Sequence, residues 1–219
     1  MSKTPFFTLQ QVTAMMEMQG QLNLELKGVT WPELGLNWER AIRAEAVELI
    51  DHVGWKWWKD KESDWDQARM EAVDILHFLL SRLLQKEITP ADTVKYFSSY
   101  IATSPFLVPA KVIGITESLI ESTFQSLCNT CYDMVDLFQL LDLSGDEVFK
   151  RYIGKNVLNK FRKDHGYKDG SYIKTWNGRE DNEVLSDILQ GWETTGDDSA
   201  RFLYAVLESE YTKVIPNLS

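Results

Sequence analysis

The sequence is poor in several things, and each shortage removes a class of protein. There are only two cysteines, Cys128 and Cys131, a lone C-x-x-C in an apolar helical stretch. That is half of a zinc site at most, with no histidine near enough to complete it, so the pair reads as two buried thiols in a reducing compartment. No run of 18 apolar residues exists, so no membrane span is expected. Met1-Ser2-Lys3-Thr4-Pro5 has neither the apolar stretch nor the cleavage site of a signal peptide, which points to a cytoplasmic protein. Segments of alternating apolar and polar residues are missing, as are repeats and low-complexity linkers. One all-α domain spanning 1–219 is therefore the simplest architecture. Positive charge is short too: 23 Lys and Arg stand against 33 Asp and Glu, a net charge of −10 that argues against a polymeric nucleic-acid partner.

The positive charge that does exist is concentrated. Residues 150–179 hold nine Lys or Arg against Asp164 and Asp169, so that segment is +7 and the remainder −17. An acidic protein with one basic segment can bind a compact anion there; charge alone fits a solvated basic helix equally well.

Acids are plentiful, and two pairs are placed as functional residues would be. Glu45-x-x-Glu48 and Glu71-x-x-Asp74 each lie in an amphipathic helical run, and positions three apart share a helix face. Four carboxylates meeting beside Leu49, Ile50, Val73 and Ile75 repel one another and are costly to bury alone. A divalent cation removes that cost, and oxygen-only ligands suit Mg²⁺, with Mn²⁺ as a possible substitute. The competing reading is two solvated faces carrying ordinary surface acids. His77, three residues after Asp74, extends the same stripe.

In chain order, Thr8 and Gln11 form a capping box that starts a helix ending near Gly28. On it, Gln19 and Asn23 are i and i+4, two amides able to read a hydrogen-bonding edge. A helix from about Trp38 to Val53 and another from Asp64 or Asp66 to about Lys86 carry the acids. Six of the eight tryptophans fall between residues 31 and 65; most are expected in the core and one or two in a pocket. Thr89-Pro90 opens a helix to about Tyr100. Ser104-Pro105 and Val108-Pro109 make a loop, and a long helix runs from about Val112 or Thr116 to Leu141. Ser144 and Glu147 cap a basic helix ending at Gly166, on which Lys155, Asn159 and Arg162 form one polar stripe. The turn-rich stretch after it, Lys168 to Gly178, could close over a ligand. Helices near Glu180–Gln190 and Asp198–Glu210 finish the chain.

Carboxylates, Mg²⁺ and a basic cradle together spell phosphate chemistry. A carboxylate not fully used by the metal could take a proton from the attacking water. From the residues alone this reaches a metal-dependent nucleotide hydrolase and stops short of the base. A di-iron carboxylate protein needs two Glu-x-x-His pairs, whereas only Asp74-x-x-His77 is present. A non-enzymatic helical interaction protein leaves the aligned acids and the basic stripe unexplained.

Beyond the acid pairs, the sequence resembles the all-α NTP pyrophosphatases and, within them, the dimeric dUTPase family. The resemblance covers roughly residues 8–190. It is carried by Gln19-Gly20-Gln21-Leu22-Asn23, Glu48-Leu49-Ile50-Asp51 with Trp55-Lys56-x-Trp58-Lys59, and Val73-Asp74-Ile75-Leu76-His77-Phe78. The most specific stretch is Tyr152-Ile153-Gly154-Lys155-Asn156-Val157-Leu158-Asn159-Lys160-Phe161-Arg162, continued by Gly166-Tyr167-Lys168-Asp169-Gly170 and Trp176-Asn177-Gly178-x-Glu180-Asp181-Asn182. The acid pairs are shared with MazG-like enzymes and with dCTPases, which are the alternatives.

The resemblance implies hydrolysis of dUTP, and of dUDP, to dUMP by a homodimer in which each site is closed partly by the other subunit. Glu45, Glu48, Glu71 and Asp74 would bind Mg²⁺, with Glu48 also activating the water. Gln19 and Asn23, with His77 and Trp55, would hold the deoxyuridine. Lys155, Asn159, Arg162, Tyr167, Lys174 and Asn182 would hold sugar and phosphates. The basic helix and a mobile closing loop would occupy about 145–182.

Overall fold

The computed structural model describes residues 4–60, 62–99, 107–192 and 199–214. The expected features at Met1–Lys3, Tyr100, Ser104-Pro105 and Asp198 lie outside the described residues. The fold is all-α, as the missing alternation predicts; the only strands among the described residues are two pairs of two-residue segments. The chain falls into two compact units, Met1–Phe149 and Lys150–Ser219.

In the first unit a short strand β1 (Thr4–Pro5) precedes α1 (Leu9–Lys27). Thr8 accepts from the Gln11 amide, the Gln11 side chain accepts from Thr8 N–H, and so both halves of the capping box form. Gly28 ends the helix at φ +84°, a conformation most L side chains avoid. A 3-10 turn (Trp31–Leu34) leads to α2 (Trp38–His52), α3 (Trp65–Gln85) and α4 (Pro90–Tyr96). Asp64 caps α3 by accepting from the Gln67 amide, and Thr89 caps α4 ahead of Pro90. After α4, β2 (Ser98–Ser99) pairs antiparallel with β1. Among the described residues the most extensive helix packing is α2 against α3. Ile42, Ala46 and Leu49 recur at helical spacing on α2 and are fully buried, as are Ile75, Leu76 and Leu79 on α3.

The long helix expected up to Leu141 is two helices, α5 (Pro109–Ser122) and α6 (Leu127–Leu140). Hydroxyl groups break it. Ser122, Thr123 and Thr130 return their hydroxyls to the carbonyls of Leu119, Ile120 and Ser126, and Ser126 starts α6 by accepting from the Asn129 amide. The tryptophan expectation also needs correction. Trp31 and Trp38 are buried, but Trp55, Trp57 and Trp58 are exposed and pack edge to face among themselves. Both cysteines are free thiols; Cys131 is buried, and burial pushes its thiol well up, while Cys128 is half-buried.

The second unit comprises most of α7 (Gly145–Asp164), the hairpin β3 (Thr175–Trp176) and β4 (Arg179–Glu180), α8 (Asp181–Gln190) and α9 (Ser199–Thr212). Its core is aromatic. Phe161 is buried against His165, Tyr172, Trp176, Tyr204 and Tyr211. At the end of α7, Gly166 has φ +85°, and a Cβ there would collide with the Ser171 hydroxyl. Glycine is what allows the Ser171 amide to reach the Gly166 carbonyl at 3.1 Å and turn the chain back.

Candidate active site

The helical period decides how the acids are presented. On α2 the buried stripe is Trp38, Ile42, Ala46 and Leu49. Glu45 flanks that stripe and is half-buried. A step of three residues falls about 60° short of a full turn, so Glu48 is rotated further from the stripe; it is exposed. On α3, Glu71 is buried and Asp74 half-buried. One carboxylate oxygen each from Glu45, Glu71 and Asp74 lie within 4.8 Å of one another. Three of the four expected acids therefore converge, and Glu48 lies outside that group. His52, which the sequence reading does not single out, brings Nε2 to 3.7 Å from Glu71 Oε1.

This donor set fits a hard divalent cation. Three carboxylates from two tightly packed helices supply oxygen only, and a cation such as Mg²⁺ commonly keeps further positions for water or phosphate.

A second polar group joins α1 to α3. The Gln19 side-chain amide donates to Asn23 Oδ1 at 3.1 Å and to Ser81 Oγ at 2.9 Å, and Asn23 Nδ2 donates to the same Oγ at 3.0 Å. Gln19 Oε1 lies 2.8 Å from His77 Nδ1. All four residues are buried. The structure thus brings Gln19, Asn23 and His77 together and adds Ser81, whose i, i+4 spacing to His77 mirrors that of Gln19 and Asn23. Trp55 is engaged elsewhere: it is partly exposed, and its indole N–H donates to Asp51 at 2.7 Å.

In the second unit the expected cations are gathered around acids and amides. Lys155 and Arg162 are both buried. Lys155 Nζ donates to Asn182 Oδ1 at 2.7 Å. Arg162 grips Asp181 with Nε at 2.8 Å and Nη2 at 2.7 Å, and reaches Asn182 Oδ1 at 3.2 Å and Asn159 Oδ1 at 3.4 Å. Its guanidinium lies 5.7 Å from the centre of the Tyr167 ring. Lys174 pairs with Glu180 at 2.9 Å. The polar stripe predicted from the spacing is largely buried, and Asp181 supplies a matching charge from the start of α8.

Asp181 and Tyr172 are what the sequence reading missed here; Asp181 appears only within the quoted family stretch. Burial works to raise the Asp181 carboxyl, but the Arg162 guanidinium, the Tyr172 hydroxyl and the charge of Lys155 outweigh it and hold it below the usual carboxylate range. Tyr172 donates to Asp181 at 2.8 Å; burial first, then that negative charge, push its hydroxyl far up.

These features define an all-α protein with an oxygen-donor cluster for a divalent cation and a buried polar knot beside it in sequence. A family model described as dUTPase matches residues 11–167, well over half of the chain, and the chain belongs to that all-α dUTPase family. It is accordingly a dUTP diphosphatase. No curated protein gives a significant match. No helix among the described residues is long and apolar enough to cross a membrane.

Proposed function

We propose that the enzyme hydrolyses dUTP, and also dUDP, to dUMP with Mg²⁺ held by Glu45, Glu71 and Asp74. The observation that carries this reading is the convergence of those three oxygens. Glu45, Glu71 and Asp74 would hold the cation, and the chemistry it would supply there is neutralisation of phosphate oxygens and acidification of a water. Glu48 lies on the same helix one turn from Glu45 but outside the converging group, which leaves its carboxylate available to take the proton of the attacking water. Mn²⁺ serves as a substitute metal.

Gln19, Asn23 and His77 read the uracil edge, with Trp55 as a further contact. Lys155, Asn159, Arg162, Tyr167, Lys174 and Asn182 bind sugar and phosphate oxygens, and the turn after Gly166 closes over them. The active form is a homodimer in the cytoplasm. The family resemblance supports the dimer, as do the large side chains left exposed in the monomer, Trp57 at 88% and Phe124 at 72%. A dCTPase or MazG-like specificity is the competing reading; membership in the dUTPase family weighs against it.

The test is product release from dUTP and dUDP in EDTA and after adding back Mg²⁺. Turnover should vanish in chelator and return with the metal, with pyrophosphate from dUTP and phosphate from dUDP. Full activity in EDTA contradicts the metal role.

A further inference from the structure

Ser81 has a single hydroxyl hydrogen, and its destination is fixed. Ser81 Oγ donates to the His77 carbonyl one helical turn back, at 2.9 Å. With that hydrogen spent, Oγ can only accept. Both amides that meet it, Gln19 at 2.9 Å and Asn23 at 3.0 Å, must therefore present N–H rather than C=O.

The consequence passes outward. Gln19 turns its NH₂ to Ser81 and Asn23, so its Oε1 faces His77 Nδ1 at 2.8 Å, and that nitrogen must carry the hydrogen. A neutral His77 is then the Nδ1–H tautomer. One fully buried hydroxyl thus sets the rotation of two amides and the tautomer of an imidazole.

We propose that Ser81 is a specificity-determining positioning residue for this enzyme's base pocket. It holds Gln19 and Asn23 in the donor and acceptor order that suits uracil and opposes cytosine. Uracil offers a carbonyl acceptor at C4 beside an N–H donor at N3; cytosine reverses both. An amide free to rotate by a half turn satisfies either base equally well. An amide whose nitrogen is committed to Ser81 cannot make that exchange without turning a carbonyl oxygen against the Ser81 oxygen. The discrimination thus comes from a group that need not touch the base.

This inference rests on the reading of Gln19 and Asn23 as base-binding residues, and the experiment separates the two. Steady-state kinetics with dUTP and dCTP are measured for wild type, Ser81→Ala, Ser81→Thr, Ser81→Cys and Gln19→Ala, with thermal melts to establish folding. Ser81→Ala should reduce the dUTP over dCTP ratio of kcat/KM about tenfold or more, chiefly through KM for dUTP, because the contact that orients both amides is lost. Ser81→Thr, which keeps the hydroxyl, should restore most of the ratio.

Should Ser81→Ala fail to fold, Ser81→Cys keeps the volume with a poorer acceptor and should lower the ratio by a smaller factor. An unchanged ratio in a folded Ser81→Ala or Ser81→Cys enzyme, with Gln19→Ala still collapsing it, overturns the role of Ser81 alone. An unchanged ratio in Gln19→Ala as well overturns the base-pocket reading itself. An equal fall of kcat for both nucleotides with the ratio intact assigns Ser81 a purely structural role and also overturns the proposal.

Discussion

The two units treat charge in opposite ways. In the first, Glu45, Glu71 and Asp74 bring one carboxylate oxygen each to within 4.8 Å of one another. A divalent cation bound at such a cluster would add to the stability of the folded form. In the second, Arg162 and Asp181 are buried as a bidentate pair, so the charges are matched internally. The first arrangement presents oxygen donors that a divalent cation could use, whereas the second pairs its charges with its own side chains. Substitutions in the two units should therefore fail differently: acids of the first by losing chemistry, members of the buried pair by losing stability.

The largest effect expected on that basis is catalytic. Glu48→Gln should lower kcat by about 10²–10⁴-fold, the usual cost of removing a general base. Because Glu48 is exposed, the melting temperature should hardly move, and binding of a non-hydrolysable dUTP analogue with Mg²⁺ should persist. An enzyme within about threefold of wild type would remove Glu48 from the mechanism.

Next comes the ion pair. Arg162→Ala leaves Asp181, wholly buried, without its main partner. Breaking a buried pair from one side costs about 3–5 kcal/mol, so denaturant melts should show a clear loss of stability. On a polar stripe outside the core the same substitution would leave the protein folded; burial of the pair is what changes that expectation. Unchanged stability would mean that the pair is open to water in solution.

A smaller effect is read from pH. The Asp181 carboxyl is held below its unfolded value, so its contribution is fully present above about pH 4. That contribution disappears as pH falls through the lower, folded value. Thermal melts should therefore fall off below about pH 4 in the wild type, and less steeply in Asp181→Asn. Parallel acid limbs for the two proteins would count against the pairing.

How much of this was legible in the sequence follows from range. Glu45, Glu71 and Asp74 were legible because the helical repeat places them, and Thr8, Asp64 and Thr89 because caps act over three residues. Ser81 was not singled out, since its meaning depends on α1 lying against α3. Asp181 lies 19 residues from Arg162 across a turn and a hairpin, and no local period connects them. The break between α5 and α6 was hidden because Phe124 and Leu127 keep the apolar rhythm while neighbouring hydroxyls stop the helix. For the tryptophans, composition supplied the number but not the side, and the Trp55–Trp58 turn faces outward.

Metal-dependent selectivity for dUTP is measured by pyrophosphate release from dUTP, dTTP, dCTP and UTP, each with and without Mg²⁺. Release should be rapid from dUTP alone, and only when the metal is present. Faster release from dCTP, or release from dUTP undiminished without metal, would contradict that selectivity.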